Sequence, residues 1–332
     1  MAQSDSIMAF ARKTTGLDPS NPATVAPLAA RGSDRAFYRF SFGDGGSVII
    51  IDYDPKRIEN TYYSDIAVYL KNMRIPVPAV IGHDPEGHLM AMEDLGGEDL
   101  HAFAGHDWPT RRTLYQKTLT AAIRLHGISE NDFPSGRVSL MEGFGPELYL
   151  FEQDYFLEHF VRNHCNIVLK PAFESKLRSE LAGLTDGLCS LERRLVHRDL
   201  QSQNVMIHSG EPYFIDFQGM RFGNPFYDLG SLLCDPYVSF TPEQREELLS
   251  FYYVLSSQEL DWDTFQRSFW DASVERLMQA LGAYGLLGGT KGLTGFLDHI
   301  PAGLRNLATA ASRVPSLPTL RDLITECVLT IG

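Results

Sequence analysis

His197, Arg198 and Asp199 stand together, Asn204 follows five residues after Asp199, and a second acid, Asp216, closes an apolar run twelve residues beyond Asn204. Side chains of these types at these offsets suit phosphoryl transfer. That reaction passes through a loose transition state, so a protein mainly supplies alignment and charge neutralisation. It needs one carboxylate beside an acceptor hydroxyl and two oxygen ligands for a divalent cation. The spacing assigns Asp199 to the hydroxyl and Asn204 and Asp216 to the metal. Five fixed residue types at fixed offsets arise by chance at roughly one start position in millions, which sets this reading above the bland one, a polar loop before a hairpin.

Such side chains need rigid carriers. Val205-Met206-Ile207 and Tyr213-Phe214-Ile215 read as two short buried strands around the turn Ser209-Gly210-Glu211-Pro212, which would return the chain to Asn204 and present Asp216. His197 is expected to pack under the loop as scaffold. Arg198 pairs with a carboxylate or reaches the phosphates. Gln218 and Arg221 follow Asp216 closely, where an acceptor would lie, and each has a structural alternative.

This segment resembles the aminoglycoside phosphotransferase and choline kinase-like superfamily, the small-molecule relatives of protein kinases. The resemblance rests on His197 to Asn204, on Asp216-Phe217-Gln218 where protein kinases have D-F-G, and on Asn224-Pro225-Phe226-Tyr227-Asp228-Leu229-Gly230. It implies ATP and Mg2+ as cofactors and a bilobal, protein-kinase-like α+β fold. Residues 1–95 would be a small β-rich, nucleotide-binding N-lobe with one helix, and residues 96–332 a larger, mainly helical C-lobe. It also implies that Asp228 starts a C-lobe helix and bonds the catalytic loop; a plain helix N-cap is the other reading, and both can hold.

Within the superfamily the wider pattern is similar to the bacterial anomeric sugar kinases of cell-wall recycling, which phosphorylate the C1 hydroxyl of N-acetylmuramate and N-acetylglucosamine. Arg31 to Phe40, Met92 to Gly96, Glu147 to Phe156, Gln279 to Tyr284 and His299-Ile300-Pro301 carry that closer likeness through their order along the chain. An N-acetylated amino sugar is then the implied acceptor. An aminoglycoside- or choline-type acceptor is the alternative, and a non-catalytic nucleotide-binding protein the third reading. Asp216 to Asp228 is too short for a protein kinase activation segment.

Before the motif, Phe37 to Phe42 and Ser47 to Ile51 flank the turn signal Gly43-Asp44-Gly45-Gly46, and a second hairpin spans Val80 to Met92. Asn60 to Met73 has helical spacing and is stopped by Ile75-Pro76-Val77-Pro78. Pro22 and Pro27 mark an irregular N-terminal connection. Glu93 to Gly97 reads as the hinge, where the backbones of Glu93 and Leu95 would bind adenine. No G-x-G-x-x-G is present; Ser33, in Arg31-Gly32-Ser33-Asp34-Arg35, takes that place as a phosphate contact. The strand Val48 to Asp52 lacks the lysine that holds phosphates in protein kinases. Arg35, Arg39 and Lys56 are the candidate substitutes, and Arg35 is preferred because a guanidinium clamps two phosphate oxygens.

Further helices are expected over 111–127, 147–163, 242–256, 262–282 and 303–311. Glu152 and Asp154, on the aromatic helix of 147–163, are the expected contacts for sugar hydroxyls, while Tyr155 and Phe156 read as core.

Composition bounds the rest. A chain of 332 residues, 44% hydrophobic and 21% charged, can bury two cores. Its formal net charge of -13 and lack of a Lys/Arg-rich run argue against nucleic acid. No apolar run is long enough to span a bilayer, and Met1 to Ser20 lacks the form of a signal peptide. The four cysteines are scattered, without a metal or disulfide spacing. A cytoplasmic protein with reduced thiols is expected, and nothing in the pattern demands more than a monomer.

Overall fold

A computed structural model describes residues 2–28, 35–43, 45–257 and 259–331. They divide into two compact units. One comprises Met1–Glu98, Pro134–Met141 and Met206–Gly219; the other comprises Asp99–Phe133, Glu142–Val205 and Met220–Gly332.

The first unit opens with helix α1 (Ala2–Thr15) and strands β1 (Ala23–Pro27), β2 (Ala36–Phe42) and β3 (Gly46–Asp52), followed by α2 (Ile58–Asn72), β4 (Val80–Asp84) and β5 (Leu89–Glu93). The five strands form one antiparallel sheet in the order β1-β2-β3-β5-β4. Central β3 explains the unbroken apolar run: Val48, Ile49, Ile50 and Ile51 are all buried, so both faces of the strand are covered. On one face Val48 and Ile50 join Phe40, Leu89 and Ala91 against Ile7 and Ala11 of α1.

The connection expected to be irregular around Pro22 and Pro27 is edge strand β1, and with α1 ahead of it the described part of the unit has two helices instead of the one expected. The reason is physical. Helix α1 presents few apolar positions, and packing on the sheet stabilises it more than its own propensity does.

In the second unit the chain forms α3 (Trp108–His126), α4 (Pro146–Tyr155), a run of wider π-helical turns over Phe156–His164, α5 (Pro171–Cys189) and β6 (Arg194–Val196). It crosses into the first unit as the hairpin β7 (Val205–His208) and β8 (Glu211–Phe214). The remainder is β9 (Arg221–Gly223), α6 (Phe226–Leu233), α7 (Pro242–Leu255), α8 (Trp262–Tyr284), α9 (Ile300–Ser312) and α10 (Pro318–Ile331). The β7–β8 turn is shorter than expected. Ser209 and Gly210 both have positive φ, 53° and 75°, as a tight two-residue turn requires, and Glu211 and Pro212 already belong to β8.

Local sequence sets several helix starts. Asp107 and Asp261 cap α3 and α8 through their side chains, and Thr241 with Gln244 forms a capping box before Pro242 at the start of α7. Among the described residues no helix is long and apolar enough to cross a membrane.

Candidate active site

Strand β6 delivers the His197-Arg198-Asp199 loop, with Leu195 and Val196 fully buried as its anchor. One buried carboxylate holds the turn. Asp228 accepts the backbone N–H of His197 at 2.7 Å on Oδ2 and that of Arg198 at 2.8 Å on Oδ1. His126 Nε2 lies 3.0 Å from the same Oδ2, and its Nδ1 lies 2.8 Å from the hydroxyl of Tyr252. This scaffold supports an unfavourable backbone: Arg198 has φ 75°, a conformation that costs a non-glycine residue on the order of 1 kcal/mol. A second carboxylate, Asp235, accepts the N–H of Ser202 at 2.7 Å and that of Tyr237 at 2.9 Å. Burial raises the Asp235 pKa, and these hydrogen bonds oppose the rise.

Asp199 is fixed at both oxygens. Arg276 of α8 donates to Oδ1 at 2.5 Å, and Asn204 Nδ2 donates to Oδ2 at 3.2 Å and to the Asp199 carbonyl at 2.9 Å. With its amide nitrogen so engaged, Asn204 directs Oδ1 away from Asp199. Arg276 is itself buried and tied down, with Nε donating to Ser231 Oγ at 3.1 Å and Nη1 to Gln279 Oε1 at 2.6 Å. Burial opposes its charge, but Asp199, Tyr227 and Tyr284 hold its pKa above the usual arginine value.

Gly230 makes this approach possible. A Cβ there would lie 3.0 Å from the Cα of Ser273, so a side chain at this position would press α6 away from α8. Arg276 escaped the sequence reading, yet a signal exists: an arginine between the buried residues Val274, Leu277 and Met278 must find an anion.

In the first unit Asp216 also sits in the left-handed region, at φ 63°. Its Oδ1 takes an ion pair from the buried Arg35 and a hydrogen bond from Gln218 Nε2 at 3.0 Å, while Gln218 Oε1 accepts from Arg35 Nη1 at 2.9 Å. Gln218, expected near an acceptor, is thus part of the Asp216–Arg35 cluster. Phe217 stacks on Tyr63 of α2 with ring centroids 4.3 Å apart. Arg39 instead forks onto Asp94, its Nε at 2.6 Å, and reaches the carbonyl of Gly96 at 2.9 Å.

Ser33, the expected phosphate contact, lies outside the described residues. The Glu93 carboxylate accepts the N–H of Ala79 at 3.0 Å, and the Leu95 carbonyl lies 3.1 Å from Nδ1 of His208.

Helix geometry separates the two expected acceptor contacts. Residues two apart on an α-helix point about 200° apart, so Glu152 and Asp154 cannot share a face. Glu152 is buried, accepts from the Tyr227 hydroxyl at 2.8 Å and lies 3.5 Å from Arg198. Burial raises its pKa, against Arg198 and Tyr227. Asp154 faces outward and pairs with Arg178 at 2.7 Å. Arg221 is buried in β9, its guanidinium 5.5 Å from the ring centroid of Phe144. Glu152 and Arg221 thus stand in the interior of the second unit, among the buried charges of Asp228, Asp235 and Arg276.

The sequence profile of the "Phosphotransferase enzyme family" matches residues 25–265. The N-acetylmuramate/N-acetylglucosamine kinase of Neisseria meningitidis serogroup B is 26% identical over 322 residues, covering 93% of this chain and 92% of the relative. The enzyme of the same name from Pseudomonas aeruginosa is 22% identical over 312 residues, covering 91% and 88%. Among solved structures, a choline/ethanolamine kinase family protein from Mesorhizobium loti superposes with a TM-score of 0.63 at 17% identity, covering 96% of this chain and 99% of that one. The five-stranded antiparallel sheet and the helical C-terminal part are those of the protein-kinase-like α+β class expected from the sequence.

Proposed function

Since this chain belongs to the phosphotransferase enzyme family, we propose that it transfers the γ-phosphate of ATP to a sugar hydroxyl, the anomeric hydroxyl of N-acetylmuramate or N-acetylglucosamine. The choice of sugar is supported by the names of the relatives matched along nearly the whole chain. The chemistry is carried by one observation: Asp199 is held at both carboxylate oxygens on a loop whose backbone hangs from Asp228.

In this reading Asp199 orients the acceptor hydroxyl. The hydroxyl oxygen bonds to the γ-phosphorus as the bond to the ADP oxygen breaks, and the hydroxyl proton passes late to Asp199. An anomeric hydroxyl is more acidic than an ordinary alcohol, so alignment dominates the rate and little basicity is asked of the carboxylate. Magnesium, when bound, neutralises phosphate charge. Asn204 and Asp216 would hold it, one at each end of the β7–β8 hairpin. Their donors fit: Asn204 turns its amide oxygen away from Asp199, and Asp216 brings a carboxylate, one oxygen of which meets Arg35. Arg35 and the backbone at Glu93 and Leu95 serve the nucleotide, while His197, Arg198 and Asp228 support the loop. An ATP-consuming step and four free thiols suit the cytoplasm, and we place the reaction there with the protein acting as a monomer.

The test is ADP release with magnesium and ATP across N-acetylmuramate, N-acetylglucosamine, other hexoses, choline and aminoglycosides. Stimulation by an N-acetylated sugar is expected, with Asp199→Asn at least about a hundredfold slower while retaining ATP binding. Turnover with cationic acceptors alone would reject the sugar assignment.

A further inference from the structure

With Glu152 buried and Asp154 paired to Arg178, the acceptor needs other contacts, and the second unit has a cluster of rings tied directly to the catalytic loop. Asp235 makes the tie. The carboxylate that accepts the Ser202 N–H also accepts the N–H of Tyr237. Around Tyr237 stand His299, with ring centroids 4.2 Å apart, His101 at 5.9 Å and Tyr284 at 6.3 Å. His299 is 6.0 Å from Tyr284, whose other neighbour is Phe296 at 6.1 Å. Tyr284 is buried as the floor, whereas Tyr237, His101, Phe296 and His299 remain partly open to solvent.

Two further observations fit a ligand here. First, Nδ1 of His101 is buried without a hydrogen-bond partner among the described residues, a loss a bound hydroxyl or amide would make good. The turn Leu100–Phe103 that carries His101 packs on the turn Ser202–Asn204 of the catalytic loop. Second, burial pushes the Tyr237 hydroxyl up to about 12, with Asp235 and Asp199 adding to the rise, so Tyr237 offers a neutral O–H. His299 stands at the start of α9 but does not cap it through its side chain. Burial lowers its pKa, which favours an uncharged imidazole.

We propose that Tyr237 and His299, floored by Tyr284, form the platform on which the acceptor's sugar ring stacks, with His101 receiving one of its polar groups. This rests on the sugar-kinase reading above. A pyranose presents a face of C–H bonds and a rim of hydroxyls, which matches ring faces with polar tips: apolar contact beneath, and Tyr O–H and imidazole nitrogens at the edge. An N-acetylated sugar adds an amide for the same edge.

The experiment is steady-state kinetics on the full chain with N-acetylglucosamine varied at saturating MgATP, then the reverse, for wild type, His299→Leu, His299→Phe and His101→Leu. The platform requires His299→Leu to raise KM for the sugar about tenfold or more, with kcat and KM for ATP within about threefold. His299→Phe, which keeps the ring face and loses the polar edge, should raise that KM clearly less than His299→Leu does, and a ring-independent structural role would not separate Phe from Leu. His101→Leu gives the same readout by loss of the unpartnered nitrogen, and it decides the matter if His299→Leu does not fold. Wild-type sugar KM in both Leu variants would overturn the platform while leaving the kinase reading intact. A wild-type enzyme turning over choline but no sugar would overturn both.

Discussion

Arg276 Nη2 lies 2.5 Å from Asp199 Oδ1, although the two residues are 77 positions apart and on different elements. That arm of the arginine meets this carboxylate, with Ser231 and Gln279 holding its other nitrogens. The arrangement restrains rotation of the Asp199 carboxylate and leaves its hydrogen bond with Asn204 undisturbed. Arg276→Met should lower kcat at least about tenfold while KM for ATP stays within about threefold, because the loss falls on alignment in the transition state. Arg276→Lys should recover only part, since an ammonium is a point charge without the planar fork. A thermal melt on each variant separates this from unfolding, and wild-type kcat in a folded Arg276→Met protein would refute the positioning role.

In the first unit, Arg35 is the residue proposed to supply the cation that strand β3 lacks. It is buried, its guanidinium lies on Asp216 and over the ring of Phe37 at 5.4 Å, and Gln218 fixes its orientation. Arg39 is committed to Asp94 and Gly96 instead. Arg35→Ala should therefore raise KM for ATP severalfold, and Arg35→Lys should fall between the two. Nucleotide titration by calorimetry checks the same point without an acceptor; unchanged ATP affinity in Arg35→Ala would remove Arg35 from the nucleotide side.

What the sequence made readable follows the range of the interactions. The catalytic loop and the β7–β8 hairpin are local, so their spacing and turn chemistry placed them within a residue or two. The α3, α7, α8 and α9 helices are likewise marked by period and by caps or prolines at their starts, and α2 by its period and the prolines that follow it. Helix α5 carries Leu177, Leu181, Leu184 and Leu188 at helical spacing behind Pro171, and α10 has a similar stripe behind Pro318, so both were legible but passed over. The Asp199–Arg276 and Asp216–Arg35 pairs span 77 and 181 positions, and no local pattern encodes them. Glu152 and Asp154 show a limit of another kind: both have acceptor-like chemistry, but the helical period turns one inward and the other outward.

Asp271 of α8 gives a pH test independent of catalysis. Burial raises its pKa from the ordinary 3.8 to about 6, against the pull of Arg267. A carboxyl that binds its proton more tightly when folded adds stability below its unfolded pKa. That contribution is lost as pH rises from about 4 through about 6, and above this the partly buried charge is a net cost. Asp271→Asn removes the charge and keeps the shape. The variant should melt at the same temperature as wild type near pH 4 and above it at pH 7.5, with a difference on the order of 1–3 kcal/mol in stability. Thermal melts at half-unit intervals from pH 4 to 8 would trace the crossover. A difference between variant and wild type that does not change with pH would show that Asp271 titrates as an ordinary surface carboxylate.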